Sequence, residues 1–132
     1  MQDPVRNKKV PETPEERVRQ AMLHHLIQVM RVPSSLIAVE KGIRIGQALL
    51  RPDIIVHDRS GSAWMVVECK APEISIDQST FDQAANYNRV LSAPFLLVTN
   101  GTHHRCARIS EEGVTFVDTL PEWPHNPTTE TT

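Results

Sequence analysis

Only two cysteines, Cys69 and Cys106, occur in the 132-residue chain. Neither has a Cys-x-x-Cys partner, so no disulfide framework and no zinc signature follows. Both read as reduced thiols, which fits a cytoplasmic protein. Long apolar runs are missing as well. None approaches the roughly 20 residues needed to span a bilayer, and "MQDPVRNKKV" lacks the apolar core of a signal peptide. A soluble protein with no membrane partner is expected. Basic charge is not in excess either: 14 Lys and Arg face 16 Asp and Glu, for a net charge of -2. A strong non-specific nucleic-acid binder is usually basic. What stays open is a binder with a local basic patch, or one that needs a cation to approach phosphate. No internal repeat is present.

What is there suits one domain, since a chain of this length can bury a core of its own. The first dozen residues are polar, hold Pro4 and Pro11, and read as an extended lead-in over 1–12. A single domain is expected over 13–118. The tail over 119–132, ending "PEWPHNPTTETT", reads as flexible. In "TPEERVRQAMLHHLIQVM", Thr13 serves as N-cap, Pro14 takes the first helical position and Glu16 follows three residues past the cap. Val18, Met22, Leu26 and Val29, with Ala21 and Met30, predict one buried helix face. The helix should stop before Pro33. Ser35 to Gly46 reads as a strand bent at Gly42. Asp53 to His57 and Ala63 to Cys69 read as a hairpin. A second helix fits "STFDQAANYNRVL", capped by Ser79 or Asp77, with Phe81, Ala84, Asn88 and Leu91 along one face. "FLLVT" is a buried strand, Asn100-Gly101 a two-residue turn, and "HHRCARI" and "GVTFVD" return as strands. The order α-β-β-β-α-β, with a further strand after it, predicts an α/β fold with a mixed central sheet flanked by helices.

The hairpin carries an acid near one end of each strand, Asp53 and Glu68, with Lys70 two residues on. If its turn is Ser60-Gly61, Asp53 stands directly opposite Glu68, with Cβ atoms roughly 4.5–5.5 Å apart. Lys70 then shares the face of Glu68, and Cys69 points to the other. Like charges in that position repel, so a divalent cation or a lysine should compensate. A hard ion such as Mg²⁺ takes oxygen ligands and keeps several waters, so one or two carboxylates plus a phosphate oxygen suit it. The same three residues also fit solvated strand ends, and the residues alone leave that choice open.

The chain resembles the PD-(D/E)XK nuclease superfamily through "RPDIIV", fourteen intervening residues between Asp53 and Glu68, and "ECK". The segments "DPVRNKKVPETPEERVRQ", "RPDIIV", "VVECKAP", "DQAANY" and "FLLVTNG" together resemble the N-terminal domain of type I restriction enzyme R subunits, over about Asp3 to Asp118. The resemblance implies a restriction-endonuclease-like core and Mg²⁺-dependent hydrolysis of DNA phosphodiesters, with Mn²⁺ as a substitute. It makes Asp53 and Glu68 metal ligands and Lys70 the partner of the hydrolytic water. It adds the Cys69 backbone carbonyl as a further ligand. Glu16, rather than Glu15, completes the acidic cluster. Gln83 and Tyr87 match a Gln-x-x-x-Tyr motif that lines the site or touches DNA. DNA is the implied partner, with a homodimer or restriction-type subunits beside it. Type I R subunits continue into a helicase-like motor that this sequence does not carry, so the activity of a whole complex does not transfer. The alternative reading is a catalytically weak or inactive nuclease fold serving as a DNA-binding or accessory module.

Other residues have plainer readings. Glu16 is explained equally well by a capping box with Thr13. His24 and His25 point roughly 100° apart on a helix and do not readily share a metal. With His57, His103 and His104 they read as solvated or core-edge side chains. Arg44, Arg51, Arg105 and Arg108 are candidates for phosphate contacts. Trp64 reads as hairpin packing and Trp123 as an anchor for the tail.

Overall fold

The computed structural model of the chain describes residues 1–125, with the side chains of Ile45 and Tyr87 set aside. In chain order the elements are β1 (Gln2–Asp3), β2 (Lys8–Lys9), α1 (Pro14–His24), β3 (Ile37–Val39), β4 (Ile43–Ile45), β5 (Ala48–Leu50), β6 (Ile54–His57), β7 (Ala63–Cys69), α2 (Gln78–Leu91), β8 (Phe95–Thr99), β9 (His104–Ser110) and β10 (Gly113–Val117). Six strands form one mixed sheet in the order β10-β9-β8-β7-β6-β3. The pairs are antiparallel except β7 with β8, which run parallel because α2 carries the chain across between them. The α/β class and the mixed sheet expected from the order are therefore found.

The sheet has a core on each face. On one, Val18, Met22, Leu23 and Leu26 pack against Ile54, Val56, Met65, Val67, Cys69, Leu97 and Cys106. On the other, Phe81 and Ala84 of α2 cover Val66, Leu96, Val98 and Ala107. The alternation along β7, with Met65 and Val67 toward α1 and Val66 toward α2, is the period-two pattern of a strand buried on both faces.

α1 starts as its sequence predicts, with Glu16 N–H donating to Thr13 Oγ1 at 3.1 Å. Its end departs from the simple stripe. Met30 N–H donates to the His25 carbonyl five residues back, a π-turn over His25–Val29. This wider turn rotates the chain less per residue, so Val29 is 66% exposed. Ala21 is exposed too, and Leu23 takes a core place instead. α2 is capped by Asp77, whose carboxylate accepts from Thr80 N–H at 2.9 Å. Its far end is fastened by Asn88, whose side chain makes two 2.8 Å hydrogen bonds to the Ala93 backbone.

Four segments differ from expectation. The bent strand over Ser35 to Gly46 is divided. Only β3 joins the main sheet, and β4 leaves it to pair with β5, a strand not foreseen. The 1–12 lead-in folds back as the β1–β2 hairpin, burying Asp3 and Val10. The segment from residue 119 is held at least to His125. Trp123 is buried, its Nε1 donates to the His57 carbonyl at 2.9 Å, and Arg59 donates to the His125 carbonyl at 2.7 Å. The rest of the expected flexible tail, 126–132, lies outside the described residues. At the second turn Asn100 is not a loop residue but closes the turn with His103, its N–H donating to the His103 carbonyl at 3.1 Å around Gly101 and Thr102. The turn is thus centred one residue later than "NG" suggests, and Gly101 supplies its positive φ of 92°.

No helix among the described residues is long and apolar enough to cross a membrane.

Candidate active site

The β6–β7 hairpin sets the first two site residues. Its loop is not the two residues Ser60-Gly61. Asp58 N–H donates to the Ser62 carbonyl at 2.9 Å, and the Asp58 carboxylate accepts from the backbone of Ser60 and Ser62 at 2.9 and 3.0 Å. The loop is therefore one residue longer, with Gly61 at φ 91°. A bulge then restores the register. His57 pairs with Ala63 but Val56 pairs with Met65, so Trp64 has no opposite number. Past the bulge Ile54 pairs with Val67, and the next step sets Asp53 against Glu68. The expected pairing arises from two compensating irregularities.

At that sheet end Asp53 is tied to β7. Its Oδ2 accepts from Cys69 N–H at 2.9 Å, and its own N–H donates to Glu68 Oε1 at 3.1 Å. Glu68 is 6% exposed. Burial, then the charge of Asp53, pushes its pKa up to about 8. Burial, with Asp53 nearby, also raises the Cys69 thiol well above its usual value. That thiol is therefore no nucleophile at neutral pH.

A set of arginines completes the site from the other side. Arg19 reaches Asp53 Oδ1 at 2.6 Å and Glu16 Oε1 at 2.5 Å, with Glu40 Oε2 at 3.5 Å. Burial pulls its pKa down, but the hydrogen bond and charge of Asp53, with Glu16 and Glu40, outweigh that and hold it above the ordinary arginine value. Arg6 of the β1–β2 turn bonds Asp3, Glu40 and Glu16 at 2.8, 2.9 and 3.4 Å. Gln20 donates to Asp3 and Glu16 at 2.8 and 3.0 Å. Burial works against the Asp3 charge, but hydrogen bonds from Arg6, Gln20 and Val5 hold its pKa below the usual value. Glu16 thus uses its backbone for the cap and turns its carboxylate inward. It meets Asp53 only through Arg19.

Glu68 and Lys70 open on the α2 side into a cavity of about 320 Å³ that Gln83 and Leu50 also line. Gln83 is exposed on α2. Tyr87 lies one turn further along the same helix, and its side chain is outside the described residues. Glu15 approaches Arg19 at 3.8 Å.

The histidines stay apart from this cluster. His57 Nδ1 lies 3.1 Å from the Leu36 carbonyl, and His104 Nδ1 lies 2.7 Å from Thr99 Oγ1. Arg105 stacks on Phe116 at 4.1 Å and Arg108 on Phe95 at 5.8 Å. Trp64 packs on Phe95 with ring centroids 5.4 Å apart.

Among the described residues, no group of three or more His, Cys, Asp and Glu is arranged to hold a metal ion. The donor set fits a hard cation in a narrower sense. Asp53 and Glu68 are adjacent oxygen donors, the Glu68 pKa being raised first by burial and then by the charge of Asp53, and a magnesium ion needs only one or two protein carboxylates. Arg6, Arg19, Asp3, Gln20 and Glu40 were not foreseen. Arg19 had a local signal, three and four residues past Glu16 and Glu15 in "PEERVRQ". Asp3, Arg6 and Glu40 had none, since their partners are set by tertiary folding.

A sheet-end site of this kind, on a mixed six-stranded sheet with a helix on each face, defines a class of α/β domain. The family model described as type I restriction enzyme R protein N terminus (HSDR_N) matches residues 14–124, and the chain belongs to that family. No curated protein matches the chain.

Proposed function

We propose that the protein is a PD-(D/E)XK-type, Mg²⁺-dependent endonuclease domain that hydrolyses DNA phosphodiester bonds. The observation that carries this is the Asp53–Glu68 pair at one sheet end, with Lys70 and Gln83 on the same cavity. Membership of the R-subunit family supports DNA and restriction-type subunits as partners, and a second copy of the chain is a further candidate.

Asp53 and Glu68 would hold the ion, with the Cys69 carbonyl beside them. Bound there, Mg²⁺ supplies a Lewis acid and a water of lowered pKa. Lys70, two residues from Glu68, orients the attacking water and offsets charge that develops on the phosphate. Gln83, on the cavity wall, and Tyr87 are the α2 residues whose Gln-x-x-x-Tyr motif would line the site or touch the DNA. Glu16 completes the cluster once Arg19 releases it.

One observation favours a second reading. Arg19 already neutralises Asp53 and Glu16, which suits an accessory DNA-binding module that needs no metal. Supercoiled plasmid incubated with Mg²⁺ or Mn²⁺ separates the two. The nuclease reading expects nicking or linearisation, lost by at least a hundredfold in Asp53→Asn and Lys70→Ala, the scale on which removing one group of a catalytic set is felt. DNA binding with no cleavage under either metal selects the accessory module. Equal cleavage by wild type and Lys70→Ala removes Lys70 from the mechanism.

A further inference from the structure

We infer that the β4–β5 hairpin is a cationic arm that grips the backbone of duplex DNA beside the acid pair. This rests on the reading of the site as one that acts on DNA, and it assigns the surface that holds that substrate. The arm is rooted in the site at both ends. The chain leaves the sheet at Glu40, which adopts a positive φ of 50°, and returns at Asp53. Glu40 N–H donates to the Asp53 carbonyl at 2.9 Å and closes the stem. Glu40 and Asp53 are also the two acids that Arg19 joins. Between these stems the sequence "KGIRIGQALLRP" holds Lys41, Arg44 and Arg51 and no acid.

That run is a local excess of positive charge in a chain of net charge -2. All three cations are exposed. The ion pairs among the described residues engage Arg6, Arg17 and Arg19, and none engages Lys41, Arg44 or Arg51. The other arginines considered for phosphate, Arg105 and Arg108, lie over aromatic rings instead. Arg51 is set across the base of the arm. A Cβ placed on Gly42 would lie 3.8 Å from its Nη2 and 3.1 Å from Leu49 Cδ1, so Gly42 leaves room for both side chains. Leu50, beside Arg51, lines the cavity of Glu68 and Lys70. A phosphodiester strand entering that cavity therefore passes the arm. Two-stranded ribbons suit this role, because they fit a DNA groove while their long side chains reach phosphates on either side. The arm resolves the tension in the composition. The protein avoids the general basicity of a non-specific binder and sets three exposed cations, in no ion pair among the described residues, beside the cavity.

The test is binding of a fluorescein-labelled 30-base-pair duplex to the full chain, followed by anisotropy in EDTA over a range of salt concentrations. Counterion release makes log K fall with log salt, by about 0.9 for each phosphate neutralised on duplex DNA. Arg44→Gln and Arg51→Gln should each flatten that slope by about one unit, and the double variant by about two. Arg31→Gln removes the same charge beyond the far end of α1 and should leave the slope unchanged. Wild-type binding with an unaltered slope in both arm variants overturns the proposal, and plasmid cleavage that persists then leaves the nuclease reading standing. Equal flattening in Arg31→Gln also overturns it, since the effect is then one of net charge. No wild-type binding overturns it too, and plasmid left intact in the separate cleavage assay would remove the nuclease reading with it.

Discussion

Arg19 sits where opposing charges meet, and its removal has a defined cost. Its side chain is 5% exposed and holds Glu16 and Asp53, at 10% and 15%. Arg19→Met leaves those carboxylates without their cation. Breaking a buried pair from one side costs about 3–5 kcal/mol, so urea unfolding in EDTA should show a loss of that order. Arg19→Lys should recover only part of it, because an ammonium cannot fork between two carboxylates. An unchanged midpoint in Arg19→Met would deny the bridge. Glu68 makes a pH-dependent prediction. Its folded pKa of about 8 lies above the ordinary carboxylate value, so the folded state holds the proton more tightly than the unfolded one. Its contribution to stability is present at low pH and lost as pH rises through 8. Measured in EDTA between pH 5 and pH 9, wild type should lose stability relative to Glu68→Gln. Parallel curves would contradict the assignment. The Arg19–Asp53 bridge was not legible in the sequence, unlike the local one to Glu16. Arg19 and Asp53 are 34 positions apart, and only the packing of α1 against the sheet end brings them together.

Local chemistry fixes an element more surely than it fixes a turn. Thr13 and Asp77 mark the helix starts because their short side chains accept from backbone N–H groups one turn on. The site register was legible for a subtler reason. The hairpin loop is a residue longer than "SG" suggests, and the Trp64 bulge removes the difference before the strand reaches Asp53. The β4–β5 hairpin was less legible, because Gly42 and Gly46 interrupt the alternation that signals a strand. The chain after β10 acts as a strap on the β6–β7 hairpin. Trp123 is 1% exposed and donates to the His57 carbonyl. Trp123→Ala should cost about 3–5 kcal/mol by leaving a large cavity, seen as a lower denaturant midpoint. A shift under about 1 kcal/mol would mean that the strap is not part of the folded unit.

At the scale of the molecule, the sheet gathers at one end residues that lie far apart in the sequence, from Arg6 to Lys70. Arg6 comes from the first turn, Glu16 and Arg19 from α1, Glu40 and Asp53 from the arm's stem, Glu68 from β7 and Lys70 from just past its end. The α/β order and the acid pair were legible from periodicity and spacing, and the family from short segments spread along the chain. The cationic lining was not, because the order of elements does not say which charges fold inward. The central claim is that Asp53 and Glu68 are a cation site and not a buried pair that Arg19 and a proton keep neutral. A crystal grown at pH 8 and soaked in Mn²⁺ tests it most directly. An anomalous peak should appear at the Asp53 and Glu68 carboxylates, with Arg19 drawn off Asp53. Arg19 still bonded to Asp53, with no manganese at the pair, would contradict it.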